Sequence, residues 1–269
     1  MWWMTKAWRQ LLYPGRSRDF FALRAMPNLD LEAQHYHQGN AVCCAELSRL
    51  VYRHDIEEDA APPHPTRREF LVRGGFEQLA FFQDRLTHTQ AMLVRHQASG
   101  LRVLVFRGTE QDIRDFITDS DVGGIGLVPA GGEAVFVHRG FERALNSVWG
   151  AIQNALEAEH GPVWVTGHSL GAALATLACT RYQFLACYTF GSPRVGNQAF
   201  ADSLLTQSIF RVVDDEDLVC KVPLESMGFV HVGQLIELRG PRPSLGLASL
   251  VNPVKPLADH TPRFYVTRL

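Results

Sequence analysis

The run Val163-Trp164-Val165-Thr166-Gly167-His168-Ser169-Leu170-Gly171-Ala172-Ala173-Leu174-Ala175 constrains this chain more than any other stretch. An apolar strand meets a small-residue helix, and a serine stands at the corner. A side chain on so tight a turn is driven into a strained backbone conformation. Gly167 and Gly171, two before and two after it, let strand and helix approach without clashing. The serine oxygen is then exposed at the sheet edge, and the Leu170 N–H points into the same space. The bare pattern arises often by chance, and a structural serine in a strand-to-helix turn is the alternative. Here the flanking strand and helix supply the context that a nucleophile elbow needs.

At 269 residues the chain suits a single large α/β domain over residues 31–269, preceded by an N-terminal arm over 1–30. Its net charge is −2, which makes no electrostatic case for nucleic acid. No run approaches the roughly 18 apolar residues of a spanning helix. No basic, then apolar, then small-residue leader is read at the start. The five cysteines have no metal-like spacing and read as reduced core thiols, so no metal is expected; no cofactor is expected either. They favour a cytoplasmic setting, membrane-associated if residues 1–18 meet lipid; secretion by a route without a cleavable signal stays open.

Residues 1–18 hold Lys6, Arg9, Arg16 and Arg18, no acid before Arg18, and Trp2, Trp3, Trp8 and Tyr13. Such a segment suits either an anionic lipid interface or an arm packed on the domain. Further on, 30–53 reads as a helix, 87–96 and 101–106 as a hairpin, and 141–159 as an amphipathic helix. Strands follow at 185–190 and 209–213, with a helix between them capped by Asn197 and running to Leu205. Residues 230–232 and 235–238 read as a short strand pair, and 240–257 as a long loop. This alternation predicts a mainly parallel sheet with helices on both faces.

A serine hydroxyl is a poor nucleophile until a base removes its proton. In elbow proteins the chain order is serine, acid, histidine, and only His231 and His260 lie downstream of Ser169. His231 sits in an apolar stretch that suggests a packed ring. His260 follows the Pro-rich loop and is the preferred base. The acid comes from Asp214, Asp215 or Asp217. The first two are expected to face water, while Leu218 and Val219 draw Asp217 inward. His168 cannot bend back to its neighbour and is expected to pack or hydrogen-bond beneath the elbow. The turn Arg107-Gly108-Thr109 ends a strand where ligands bind in such sheets, so Thr109 can join Leu170 as an oxyanion donor.

Together these residues resemble the class 3, fungal-lipase-like family of α/β-hydrolases. The resemblance is carried by Phe106-Arg107-Gly108-Thr109, Ile113 to Asp119, Val137-His138-Arg139-Gly140-Phe141, the elbow, Thr189 to Asn197, Arg211 to Val219, and His260. It implies an α/β-hydrolase fold, with Ser169 as nucleophile, Asp217 as acid, His260 as base, and Thr109 and Leu170 as oxyanion donors. The implied activity is carboxyl-ester hydrolysis of lipid esters through an acyl-enzyme, as in a triacylglycerol lipase or esterase. Phospholipase A1 and aryl-ester esterase are alternatives, and a catalytically silent lipase-like domain that binds lipid or protein is the rival from outside enzymes. The family usually has Trp where Phe116 stands and Pro where Cys220 stands. Its lid is a short amphipathic helix. Here Ile113, Phe116 and Ile117 fall on one side of a brief helix, and Ile125, Leu127 and Val128 belong to a Gly-rich apolar flap.

Overall fold

A computed structural model describes residues 13–33, 35–55, 64–108, 134–214, 217–238 and 259–269, and the backbone of 124–127. Among them a seven-stranded sheet runs in the order β1-β2-β3-β6-β7-β8-β9. Its strands are β1 (Phe76–Gln83), β2 (Gln90–His96), β3 (Arg102–Phe106), β6 (Val163–His168), β7 (Ala186–Phe190), β8 (Ile209–Asp214) and β9 (Gln234–Leu238). β1, β2 and β3 pair antiparallel, and from β3 through β9 every pairing in this sheet is parallel. A separate ribbon pairs β4 (Gly124–Leu127) with β5 (Val135–His138).

Six helices accompany the strands among the described residues: α1 (Gln38–Leu50), α2 (Arg67–Arg73), α3 (Arg139–Glu157), α4 (Leu170–Ala178), α5 (Gln198–Asp202) and α6 (Pro262–Arg268). Their placement follows from the period-two alternation of strand side chains. On β3, Leu104 and Phe106 join the core beneath α3, α4 and α5, whereas Val103 and Val105 join the core beneath α1 and α6. On β6, Val163 and Val165 take the first face and Trp164 the second. All six β6 residues are buried, as a strand covered on both faces must be. The mainly parallel sheet flanked by helices therefore matches the expected fold class.

Several boundaries differ from the sequence reading. The 30–53 helix is shorter: α1 starts after His37, whose side chain accepts from Asn40 N–H, and the Asn40 side chain bonds the Asp30 backbone in both directions. Residues 30–37 therefore fold over the helix start instead of extending it. α5 stops at Asp202, three residues before Leu205, under the expected Asn197 cap. The 230–232 strand reduces to one bridge, between Val230 and Gly196. β1 and α2 are additions. β1 carries a bulge between Gln78 and Ala80, which interrupts the alternation that would have marked it.

The described part of the arm is built into the domain. Phe20 is buried, Arg53 donates to the Gly15 and Ser17 carbonyls, and Asp19 accepts from Arg49 on α1 and Arg263 on α6. Residues 1–12 and the expected loop at 240–257 lie outside the described residues.

Candidate active site

The site forms at the C-terminal ends of β6, β7 and β8. At the corner between β6 and α4, Ser169 has φ 61° and ψ −129°, a conformation only a forced turn imposes on a side chain. A Cβ on Gly167 would lie 2.2 Å from the Gly171 carbonyl oxygen, and one on Gly171 would lie 2.3 Å from that of Phe106. Both glycines are thus required by close approach. Leu170 opens α4, so its N–H belongs to the unpaired first turn of a helix, where partial positive charge gathers.

After β8 the chain turns back on itself, with Asp217 N–H donating to the Asp214 carbonyl. This drops the Asp217 side chain inward, where it is 1% exposed. His260 Nδ1 lies 2.9 Å from Asp217 Oδ1 and 2.8 Å from Oδ2. Val219 N–H donates to Oδ1, and the Tyr265 hydroxyl donates to Oδ2. Burial alone would raise the Asp217 pKa. The His260 ring and the Tyr265 hydroxyl outweigh it and hold the carboxyl below its usual value. His260 Nε2 is buried and makes no hydrogen bond among the described residues. With Nδ1 committed to Asp217, Nε2 is the nitrogen left to accept a proton. The Ser169 hydroxyl does not bond it in this structure, as is common before substrate aligns the two.

Of the acid candidates, the structure brings Asp217 to a histidine. Asp214 corrects the sequence reading: it was expected to face water, yet it is fully buried and ion-paired with Arg268 on α6. The helix folds across the end of β8 and supplies a cation that no local pattern announces. Burial still pushes the Asp214 pKa up to about 6, against the pull of Arg268. Asp215 lies outside the described residues. His231 precedes β9 instead of sitting in a strand, and its Nε2 lies 2.8 Å from the Cys220 carbonyl. Burial and the nearby Arg211 and Arg194 push its pKa down to about 3. The Asp217–His260 pair forms without it.

Thr109, Ile113, Phe116, Ile117 and Val128 lie outside the described residues. Ile125 and Leu127 belong to β4, where Ile125 pairs with Val137 and Leu127 with Val135. That segment of the expected flap is therefore one strand of a ribbon. His168 lies beneath the elbow, its Nε2 2.8 Å from the His260 carbonyl. Two contributors escaped the sequence reading. Tyr265 carries no motif and reaches Asp217 only because α6 turns it inward. Gly191, with φ 60°, floors the pair: a Cβ there would lie 2.8 Å from Asp217 Oδ2 and 3.0 Å from His260 Nδ1. Its place in Thr189-Phe190-Gly191-Ser192-Pro193, directly after a strand, was the available signal. Among the described residues no group of three or more His, Cys, Asp or Glu side chains could hold a metal ion.

Residues 103–227 match the family described as Lipase (class 3). A lipase of Rhizomucor miehei is 37% identical over 166 residues, covering 54% of this chain and 44% of that protein. A secreted mono- and diacylglycerol lipase A of Penicillium camembertii is 33% identical over 175 residues, covering 61% of this chain and 56% of that one. The chain thus spans about half the length of the curated relatives it matches. Among solved structures, lipase II from Rhizopus niveus superposes with a TM-score of 0.63 at 27% identity, covering 75% of this chain and 80% of that one. The lipase from Rhizopus microsporus var. chinensis gives 0.65 at 25% identity, with 87% and 90% covered. All five cysteines of this chain are free and buried. The cytoplasmic setting they suggested finds no support among these relatives, since the Penicillium protein is named as secreted. The family match runs from β3 through the elbow to the Asp217 loop, and the solved lipases share the fold around it: over this segment the chain is similar to the class 3 lipase family.

Proposed function

We propose that this protein is a serine carboxyl-ester hydrolase acting on lipid esters. The observation that carries the reading is the buried Asp217–His260 pair, whose Nε2, unbonded among the described residues, lies at the same sheet edge as a strained Ser169. In the proposed reaction His260 Nε2 takes the Ser169 proton as the hydroxyl oxygen attacks the ester carbonyl. Asp217 keeps the ring in the Nδ1–H tautomer and stabilises the imidazolium that forms. The oxyanion meets the Leu170 N–H at the start of α4 and, in this reading, a donor from Thr109. Collapse breaks the ester bond, and His260 returns the proton to the leaving alcohol. Water then attacks the acyl-enzyme through the same base and releases the fatty acid, restoring Ser169.

The lipid class rests on the relatives. The Rhizomucor protein is a lipase and the Penicillium protein a mono- and diacylglycerol lipase. A chloroplastic phospholipase A(1) of Arabidopsis thaliana is 43% identical over only 70 residues, which ranks glycerides ahead of phospholipids here. Among the described residues no helix is long and apolar enough to cross a membrane. The proposed lipid contact is through the basic and aromatic segment 1–18, and principally its first 12 residues, since Gly15 and Ser17 are tied to Arg53.

The test is a hydrolysis profile across p-nitrophenyl esters, triglycerides, diglycerides and phospholipids, run with Ser169→Ala, His260→Ala and His231→Ala. The first two are expected to lose at least about ten-thousandfold in kcat. His231→Ala is expected to keep its activity and lose thermal stability. Activity surviving in Ser169→Ala would reject the nucleophile, and loss in His231→Ala with His260→Ala intact would reverse the choice of base.

A further inference from the structure

Tyr52 lies two residues beyond the end of α1 and is buried. Its hydroxyl meets two parts of the site at once. Tyr52 Oη is 3.2 Å from His168 Nδ1, and His168 Nε2 is 2.8 Å from the backbone carbonyl of His260. A carbonyl only accepts, so Nε2 carries a hydrogen. Burial, helped by the adjacent His260 ring, holds His168 well below the usual imidazole range, so the ring is neutral and Nδ1 is an acceptor. Tyr52 is then the donor. The second contact is steric. A Cβ on Gly108 would lie 2.1 Å from Tyr52 Oη, 2.7 Å from the His168 carbonyl oxygen and 3.2 Å from Ser169 Cβ. Gly108 immediately precedes Thr109, so one phenol oxygen abuts both the proposed oxyanion turn and the ring that holds the base.

We propose that Tyr52 and His168 are positioning residues for the hydrolysis, fixing the His260 main chain and the Gly108 turn in register with Ser169. The inference rests on the reading of Ser169 and His260 given above. Neither residue touches the ester; each acts through a neighbour. His260 needs such a hold because it sits in a turn just before α6, outside any strand. Catalytic groups lose rate when displaced by about half an ångström, and side-chain bonds to the acid orient the ring without anchoring its backbone. Neutrality of His168 matters as well. Its ring centroid is 4.5 Å from that of His260, so a charge there would oppose the imidazolium that forms during attack.

A buried pair that merely stabilised the fold would move the melting temperature and leave kcat alone. The experiment therefore combines kinetics on a soluble short-chain p-nitrophenyl ester with 15N spectra of histidine-labelled full-length protein. Wild type and Ser169→Ala come first. An inactive wild type, or an active Ser169→Ala, overturns the hydrolase reading before any Tyr52 variant is made. In Tyr52→Phe, kcat is expected to fall about tenfold with KM within about twofold, the loss of one positioning hydrogen bond. The His168 Nδ1 resonance is expected to move toward that of an unbonded acceptor. Unchanged kcat, or an unchanged Nδ1 resonance, overturns the proposal. Gly108→Ala presses on the same hydroxyl from the other side and is expected to lower kcat too. The double variant is then expected to lose less than the product of the two single losses, because the alanine, which also meets the His168 carbonyl oxygen, shares the Tyr52 hydroxyl with the other change. Fully multiplied losses would overturn the shared contact.

Discussion

Tyr265 Oη lies 2.6 Å from Asp217 Oδ2, the same oxygen that faces His260 Nδ1 at 2.8 Å. The proposed acid is thereby held from three sides: by the imidazole, by the phenol and by the Val219 N–H on Oδ1. A carboxylate gripped in this way cannot rotate, and its grip selects the tautomer that leaves Nε2 without the proton. The same phenol oxygen accepts from Asp214 N–H at 3.2 Å, which ties the end of β8 to α6. One hydroxyl thus joins strand, helix and acid.

Tyr265→Phe removes this donor while keeping the ring among His168 and Phe190. Hydrogen bonds to charged groups contribute about 1.5–3 kcal/mol, so both stability and kcat are expected to fall, kcat by about tenfold. KM on a soluble ester is expected to stay near wild type, because the phenol touches no substrate. Steady-state kinetics with a parallel thermal melt checks this. An unchanged kcat would leave Tyr265 as packing alone.

Ser169 stores strain that its replacement can release. Its φ of 61° is one that a side chain adopts only at a cost of about 1–3 kcal/mol. Ser169→Ala and Ser169→Gly both delete the proposed nucleophile, but only glycine relieves the backbone. The glycine variant is expected to be inactive and yet to melt a few degrees above the alanine variant, as about 1 kcal/mol implies for a domain of this size. Equal melting temperatures would show that the corner is not strained.

What could be read from the residues follows the range over which each feature is determined. The elbow was legible because Gly167, Ser169 and Gly171 meet within five residues of chain. α3 was legible because Phe141, Leu145, Val148 and Ile152 recur at helical spacing and are indeed buried together. Asp214 was misread because its surroundings are non-local: Arg268, 54 residues on, replaces the water it was expected to face. The same distance hid Tyr265, 48 residues from Asp217, and the Tyr52–His168 contact, which spans 116. Alternation failed at β1 because a bulge shifts its register. Local pattern finds the corner that carries the serine; the groups around Asp217 and His260 arrive only when α1 and the C-terminal helix pack against the sheet.

The buried Asp214 makes a pH prediction of definite sign. Its pKa is about 6 in the folded protein against the usual 3.8, because burial disfavours the charge more than Arg268 restores it. Between those values the folded state binds the proton more tightly. Stability contributed through this group is therefore fully present below about 3.8 and lost as pH rises through about 6. Asp214→Asn cannot titrate, and Arg268 keeps Asp259 at 3.2 Å. Wild type is expected to gain stability relative to Asp214→Asn on acidification across that window. Denaturant midpoints of both proteins at its two ends measure the difference. A gap that stays constant or shrinks toward low pH would contradict the raised pKa.

The last prediction concerns the arm. Residues 1–12 hold Trp2, Trp3, Trp8, Lys6 and Arg9, whereas Gly15, Ser17 and Asp19 bond to Arg53, Arg49 and Arg263. A truncation that reached residue 19 would cut contacts to α1 and α6 and confuse lipid binding with folding. Deleting only 1–12 separates the two. Each basic residue near an anionic surface contributes about 1 kcal/mol, so losing Lys6 and Arg9 removes about 2 kcal/mol of attraction before the indoles are counted. The truncated protein is expected to bind anionic vesicles at least about tenfold more weakly, and to lose activity on dispersed long-chain glyceride. It should hydrolyse a soluble short-chain ester as before. Added salt should weaken vesicle binding of the full chain more than that of the truncated one, since screening acts on the charges removed. If vesicle binding survives the deletion, the arm is not the lipid contact. If the soluble-ester activity disappears as well, residues 1–12 belong to the fold, and the interfacial role is rejected.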